Sequence, residues 1–230
     1  MSFSYLAAVT ARAVDLPARP DACTSRASIA PRAPSATETP LHATTEFAVV
    51  REPGCGFGMR AQRDLEEGTT ILREIPLAVL KLDSDPEARD MCEGDPIRAI
   101  HHLAEIVFST LPVLKQQRWM ALADAFTEAP GKTPGNIIRS NAFADGDSGN
   151  SYLYELLSRA NHSCTPTMSK RLKGNWHVAT LRVLRPVAHH EFLTISYLSD
   201  ADLERPTSER RALLRDRFNF HCECTRCAGM

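Results

Sequence analysis

The sequence predicts an α+β fold rich in short strands, and three observations carry that expectation. Brief apolar runs punctuated by Gly and Pro fill residues 46–82, a helical period takes over across 83–135, and short strands return up to Tyr197. Strands that cluster in this way, instead of alternating with helices, do not build a doubly wound parallel sheet. At 230 residues the chain is long enough for one sizeable domain with tails, or two small domains.

Residues 1–45 stand apart. They carry eleven Ala, five Pro and four Arg, no Lys, and only Asp15, Asp21 and Glu38 as acids. No apolar period runs through them, so they are expected to be a disordered tail. The Arg/Ser/Ala bias also suits a mitochondrial transit peptide, but the early aspartates and the prolines argue against one. From Glu46 the texture changes. Phe47, Val49 and Val50 read as a strand stopped at Pro53-Gly54, and Gly56-Phe57-Gly58 leads into Met59-Arg60-Ala61. After a turn at 64–68, strands are expected at 69–74 and 77–82, with Pro76 between them.

Within 83–135, Ile97, Ile100, Ala104, Val107 and Phe108 share one helical face. Leu114, Trp119, Leu122 and Phe126 suit a second helix, with Pro112 at the break. This helical insert is expected to be an amphipathic pair packed on the sheet. His101 and His102 lack a second ligand four residues on, and so are expected at its surface or rim. A second strand-rich stretch is expected over 136–197, clearest at 177–183 and 191–197. Residues 207–217 then read as a helix capped by Thr207 or Ser208, its Arg210, Arg211, Arg215 and Arg217 forming a solvated face.

Bulk composition narrows the function. Hydrophobic residues make up 43% and charged residues 24%, as in ordinary globular chains. With 27 Lys and Arg against 28 Asp and Glu, bulk charge offers nothing to a nucleic-acid backbone. No apolar run approaches the roughly 20 residues that span a bilayer. Neither direct nucleic-acid binding nor membrane insertion is expected, and a monomer is the working assumption.

The seven cysteines are unevenly spread. Cys23, Cys55 and Cys92 stand alone, whereas Cys222, Cys224 and Cys227 fall within six residues. An odd total with no secretory signal fits poorly with a disulfide framework. The cluster fits metal ligation in a reducing compartment, hence the nucleus or cytoplasm, with mitochondria less favoured. A structural zinc takes four ligands in a tetrahedron, so three cysteines leave one position open. Cys164 is the natural fourth, because Asn161-His162-Ser163-Cys164-Thr165-Pro166 has the look of a pinned turn; three unmetallated surface thiols are the plain alternative. Zinc capture would tie the cluster to a turn 58 residues earlier (222 − 164 = 58) and hold Phe218 and Phe220 over its neighbours.

Four segments in order resemble the SET-domain family. They are Gly56-Phe57-Gly58, the Asn161–Pro166 motif, the strand 191–197 ending in Tyr197, and Cys222-x-Cys224-x-x-Cys227. Asn141-Ala142-Phe143 and Leu157-Ser158-Arg159 are similar to the branch that holds the SET-and-MYND proteins and their fungal relatives. The MYND zinc finger and the C-terminal helical repeats of that branch are not found here. The resemblance implies a SET-domain fold of short strands in small sheets across 46–200, with 83–135 as the helical insert. It further implies a post-SET helix and zinc-binding segment at 201–230.

The resemblance also implies protein-lysine N-methylation with S-adenosyl-L-methionine as cofactor and a lysine-bearing protein, histone or otherwise, as substrate. By resemblance, the backbone at Gly56, Phe57 and Gly58 contacts the amino-acid end of that cofactor. Asn141, Ser158, Asn161 and His162 bind its carboxylate, ribose and adenine regions, and Phe220 stacks near the adenine. Tyr197 is the catalytic residue, while Cys164, Cys222, Cys224 and Cys227 hold Zn2+. Thr167, Phe192 and Phe218 replace the family's usual Asn, Glu and Tyr. Those departures keep an alternative open: a catalytically weak SET-domain scaffold that binds a protein partner.

Overall fold

A computed structural model describes residues 40–52, 55–126, 131–144, 150–173 and 177–229. In chain order, β1 (His42–Ala43), β2 (Phe47–Glu52), β3 (Gly56–Ala61), β4 (Thr70–Glu74) and β5 (Ala78–Leu80) come first. Helices α1 (Pro86–Gly94), α2 (Pro96–Thr110), α3 (Val113–Met120) and α4 (Pro134–Asn141) follow. Strands β6 (Phe143–Ala144), β7 (Ser151–Leu153), β8 (Asn161–His162), β9 (Met168–Lys173), β10 (Val178–Val183) and β11 (Phe192–Ile195) come next. The last elements are α5 (Asp200–Leu203), α6 (Thr207–Phe218) and α7 (Thr225–Ala228). No helix among the described residues is long and apolar enough to cross a membrane. Residues 1–39, most of the expected tail, lie outside the described residues.

The chain divides into two compact units. One comprises Ile75–Ser158 with Asp216–Phe218. Three of its four helices begin on a repeated device, a capping side chain followed by proline, whereas α3 follows Pro112 with no side-chain cap. Asp85, Asp95 and Thr133 accept from the backbone N–H of Ala88, Arg98 and Asn136, each with Pro at the first helical position. With α3, these caps give four helices where a pair was expected. It also makes 134–141 helical, although strand-rich structure was expected from 136; Ile137 and Ile138 point into the core from α4. Trp119, Leu122, Ile137, Ile138 and Leu153 form its fully buried centre. The Trp119 indole donates to the Pro134 carbonyl at 3.4 Å and meets Phe108 edge-on. A small sheet, β5-β7-β6, completes the unit.

The second unit takes in the described part of Pro17–Glu74 together with Arg159–Arg215 and Asn219–Met230. It holds a five-stranded sheet ordered β1-β2-β3-β11-β8 and a three-stranded sheet ordered β4-β10-β9. Alternation along β10 buries Ala179, Leu181 and Val183, the period of a half-buried strand. Phe47, Val49, Met59, Ala61, Leu193 and Ile195 are buried too. After α6 the chain turns at Asn219, which takes the left-handed conformation at φ 56° and donates its N–H to the Arg215 carbonyl.

Candidate functional site

The site begins with a crossing of three strands. β11 pairs antiparallel with β3 (Phe192 with Arg60, Leu193 with Met59) and parallel with β8 (Thr194 with Asn161, Ile195 with His162). One four-residue strand thus carries Asn161 to the hairpin formed by β2 and β3. There the Asn161 amide donates to the Phe57 carbonyl at 3.4 Å. Gly58 is what allows the approach. A Cβ on it would sit 2.8 Å from Asn161 Nδ2 and 3.0 Å from Glu52 Cγ. Gly56 is required for a different reason, its φ of +77°, and the space beyond its Cα is open. The Arg159 and Arg51 guanidinium groups lie 5.3 and 6.0 Å from the Phe57 ring centroid.

His162, Tyr197 and Phe220 form an aromatic cluster beside this crossing. Ring centroids lie 5.3 Å apart for His162 and Tyr197, 5.9 Å for His162 and Phe220, and 6.2 Å for Tyr197 and Phe220. The Tyr197 hydroxyl donates to the Ala160 carbonyl at 3.0 Å. Burial pushes this phenol above its ordinary value, so it stays protonated. His162 is only 3% exposed. Its Nδ1 accepts from the Tyr197 N–H at 3.0 Å, and its Nε2 lies 3.4 Å from Cys164 Sγ. Desolvation holds the ring neutral, its pKa lowered to about 4. Both ring nitrogens are committed inside the protein, so any ligand contact at this residue goes through its backbone.

Cys164, Cys222, Cys224 and Cys227 come together, all buried, with their sulfurs within 4.8 Å of one another. Zn–S bonds of about 2.3 Å in a tetrahedron require sulfurs about 3.8 Å apart, and Cys164 and Cys227 stand at 3.6 Å. The donor set and its spacing therefore fit zinc. The surroundings correct the expectation that the α6 arginines are all solvated. Arg210 is buried at 3% exposure; it donates to Cys227 Sγ at 3.4 Å, to Thr207 Oγ1 at 3.1 Å and to the Arg205 carbonyl at 2.6 Å. Arg211 donates to the Cys222 carbonyl at 3.0 Å. A sequence pattern of alternating charge carried no hint of this, because the thiols that draw Arg210 inward follow only after the helix has ended. Cys55 is disulfide-bonded.

Residues 56–198 match the SET-domain family model. The chain belongs to the SET-domain family. It is 26% identical over 185 residues to histone-lysine N-methyltransferase set5 of Schizosaccharomyces pombe, covering 80% of this chain and 51% of that protein. It is 31% identical over 134 residues to the potential protein lysine methyltransferase SET6 of Saccharomyces cerevisiae, covering 55% of this chain and 34% of that protein. The chain thus spans about half or less of these curated relatives. Its fold is similar to the SET domain of LSMT solved with lysine and AdoHcy, with a TM-score of 0.52 at 14% identity, covering 79% of this chain and 54% of that one.

Within this SET domain, the expected site residues fall into two groups. Gly56, Phe57, Gly58, Asn161, His162, Tyr197 and Phe220 gather in one unit with the four cysteines. Asn141 and Ser158 belong to the other, where the Ser158 hydroxyl donates to the Asn141 carbonyl at 3.3 Å. The Asn141 amide nitrogen is spent on the Ala123 and Ile137 carbonyls, at 2.7 and 2.8 Å. Two of the departures from the family have structural partners. Thr167 and Thr194 exchange hydrogen bonds: the Thr194 N–H donates to Thr167 Oγ1 at 2.8 Å and the Thr167 N–H to Thr194 Oγ1 at 3.2 Å. Phe192 lies under the Arg60 guanidinium at 4.3 Å, and Arg60 is held by the buried Glu52 at 2.8 Å. Phe218 is half-buried as the last residue of α6.

Proposed function

We propose that this SET domain transfers a methyl group from S-adenosylmethionine to the side-chain amine of a lysine in a protein substrate. The observation that carries the reading is the setting of Tyr197. Its hydroxyl is fixed on the Ala160 carbonyl, and its ring is enclosed by His162 and Phe220. A phenol held protonated by burial orients an incoming amine and does not act as a base. S-adenosylmethionine supplies a methyl group already activated on a sulfonium, so the residues of the chain have only to align the in-line displacement and favour the neutral amine. An apolar channel would disfavour an ammonium by desolvation and so serve the second need. Phe220 offers a flat apolar face, and the open backbone at Gly56 is approachable by the amino-acid end of the donor. Cys164, Cys222, Cys224 and Cys227 would hold a zinc ion whose work is structural: it keeps the segment carrying Phe220 in place.

The substrate class is protein lysine, on a histone or another protein; the four-cysteine cluster suits the nucleus or cytoplasm as the site of action, and the Cys55 disulfide speaks against it. Transfer of labelled methyl groups from S-adenosylmethionine into whole-cell lysate, with Tyr197→Phe as control, tests the reading. Incorporation by the wild type alone supports it. A protein whose melting temperature rises with S-adenosylmethionine but which labels nothing is the scaffold instead.

A further inference from the structure

We propose that His162 is a positioning residue that couples the four-cysteine centre to the backbone of Tyr197. The proposal rests on the cysteines holding a metal and not on the methyl-transfer reading. Nδ1 of the ring accepts from the Tyr197 N–H at 3.0 Å, so the ring hydrogen resides on Nε2. That nitrogen lies 3.4 Å from Cys164 Sγ. A thiolate is the form in which a cysteine binds zinc, and it accepts this N–H far better than a thiol does. Groups that donate to metal-bound ligands orient those ligands and tune the metal's retention.

The geometry makes the two contacts interdependent. An imidazole is rigid, and its nitrogens face different ways, so Cys164 cannot shift without moving the acceptor that holds Tyr197. The backbone offers little slack. His162 is paired with Ile195 across the parallel β8–β11 edge, the Ser163 N–H donates to the Ile195 carbonyl at 3.0 Å, and Tyr197 lies two residues further on. A second route runs through Phe220, which lies two residues before Cys222 and touches both rings. The imidazole route is separable from it, because only His162 hydrogen-bonds at both ends.

Two half-substitutions separate the ends. In His162→Asn the short amide stands near the Nδ1 position and keeps an acceptor for Tyr197. In His162→Gln the longer amide reaches the Nε2 position and keeps a donor for Cys164. Zinc content, zinc release to a chromogenic chelator and amide hydrogen exchange at Tyr197 and Phe220 are measured on the full chain.

The expected result has three parts. His162→Gln retains zinc and Phe220 protection but exchanges its Tyr197 amide at least about tenfold faster. His162→Asn protects that amide yet releases zinc about 10–100-fold faster. Chelation of the wild type raises Tyr197 exchange, whereas chelation of His162→Gln adds nothing further at Tyr197. Full Tyr197 protection in zinc-loaded His162→Gln overturns the proposal, as does unchanged Tyr197 exchange in the chelated wild type. The latter measurement decides alone if neither variant folds. Purified protein without zinc overturns the metal reading and this coupling together, and leaves methyl transfer to its own test.

Discussion

Arg210→Met separates electrostatic support of the metal centre from simple packing. The substitution keeps most of the side-chain stem and removes the guanidinium, which is 3% exposed. Three acceptors lose a donor: Cys227 Sγ, Thr207 Oγ1 and the Arg205 carbonyl. Arg205 is exposed and Thr207 half-buried, so water replaces the guanidinium there at small cost. The thiolate is buried, and a hydrogen bond to a charged group contributes about 1.5–3 kcal/mol. Four thiolates around Zn2+ also carry a net charge of about −2 that this cation partly balances. A loss of about 2–3 kcal/mol follows for the zinc-loaded state, or roughly 30–150-fold in zinc affinity at 1.4 kcal/mol per tenfold. Metal-free protein should respond differently. There the guanidinium is a desolvated cation whose Nε has no hydrogen-bond partner, and replacing it with an apolar stem costs little or stabilises. Chelator competition measures the affinity, and thermal melts with and without zinc measure the contrast. Unchanged affinity, or an equal loss of stability in both states, would refute the electrostatic reasoning.

Other perturbations test the strand crossing and the tyrosine. Gly58→Ala forces a Cβ against Asn161 and should cost about 1–3 kcal/mol by overpacking. Because it displaces Asn161, thermal shift should also register a weakened response to S-adenosylmethionine; a full response would show that Asn161 is dispensable. Thr167→Val leaves the buried Thr194 N–H without its 2.8 Å acceptor and should lower stability by about 1–3 kcal/mol in denaturant titration. The raised pKa of Tyr197 fixes a sign for alkaline stability. The unfolded chain loses this proton first, near pH 10, so the contribution of Tyr197 is complete below pH 10 and is lost as pH rises beyond it. Carbon-13 NMR of the labelled tyrosine ring should find no Tyr197 phenolate below pH 10; finding one there contradicts the burial argument.

Much of this was legible in the sequence, for identifiable reasons. Pro53-Gly54 and Gly56-Phe57-Gly58 announce a turn between two strands, and Cys222, Cys224 and Cys227 announce a metal that lacks a ligand. Those signals are local, or nearly so. The parallel pairing of β8 with β11 is not local, since two residues have no period to detect, and yet it places Asn161 at Phe57. The capping signals before Pro86, Pro96 and Pro134 are local as well, yet the expected boundary between the helical insert and the strand-rich stretch, at 135–136, cuts through α4. Arg210 was hidden for a different reason. An arginine on a charged helix is exposed by default, and only the tertiary position of the thiols turns it inward.

The contacts that build the site span long stretches of chain, and this bears on how the protein folds. Asn161 reaches back 104 residues to Phe57, and Cys164 reaches forward 63 to Cys227. Contacts so distant in sequence form slowly, because the loops between them must close first. During synthesis the β2–β3 hairpin emerges long before its partner at Asn161, and the cysteine cluster that follows Phe220 is completed later still. A nascent chain interrupted before Cys222 would contain Tyr197 and Phe220 but not the three thiols that follow them. On the proposed zinc reading, the metal set is complete only once Cys227, the last of its four thiols, has emerged.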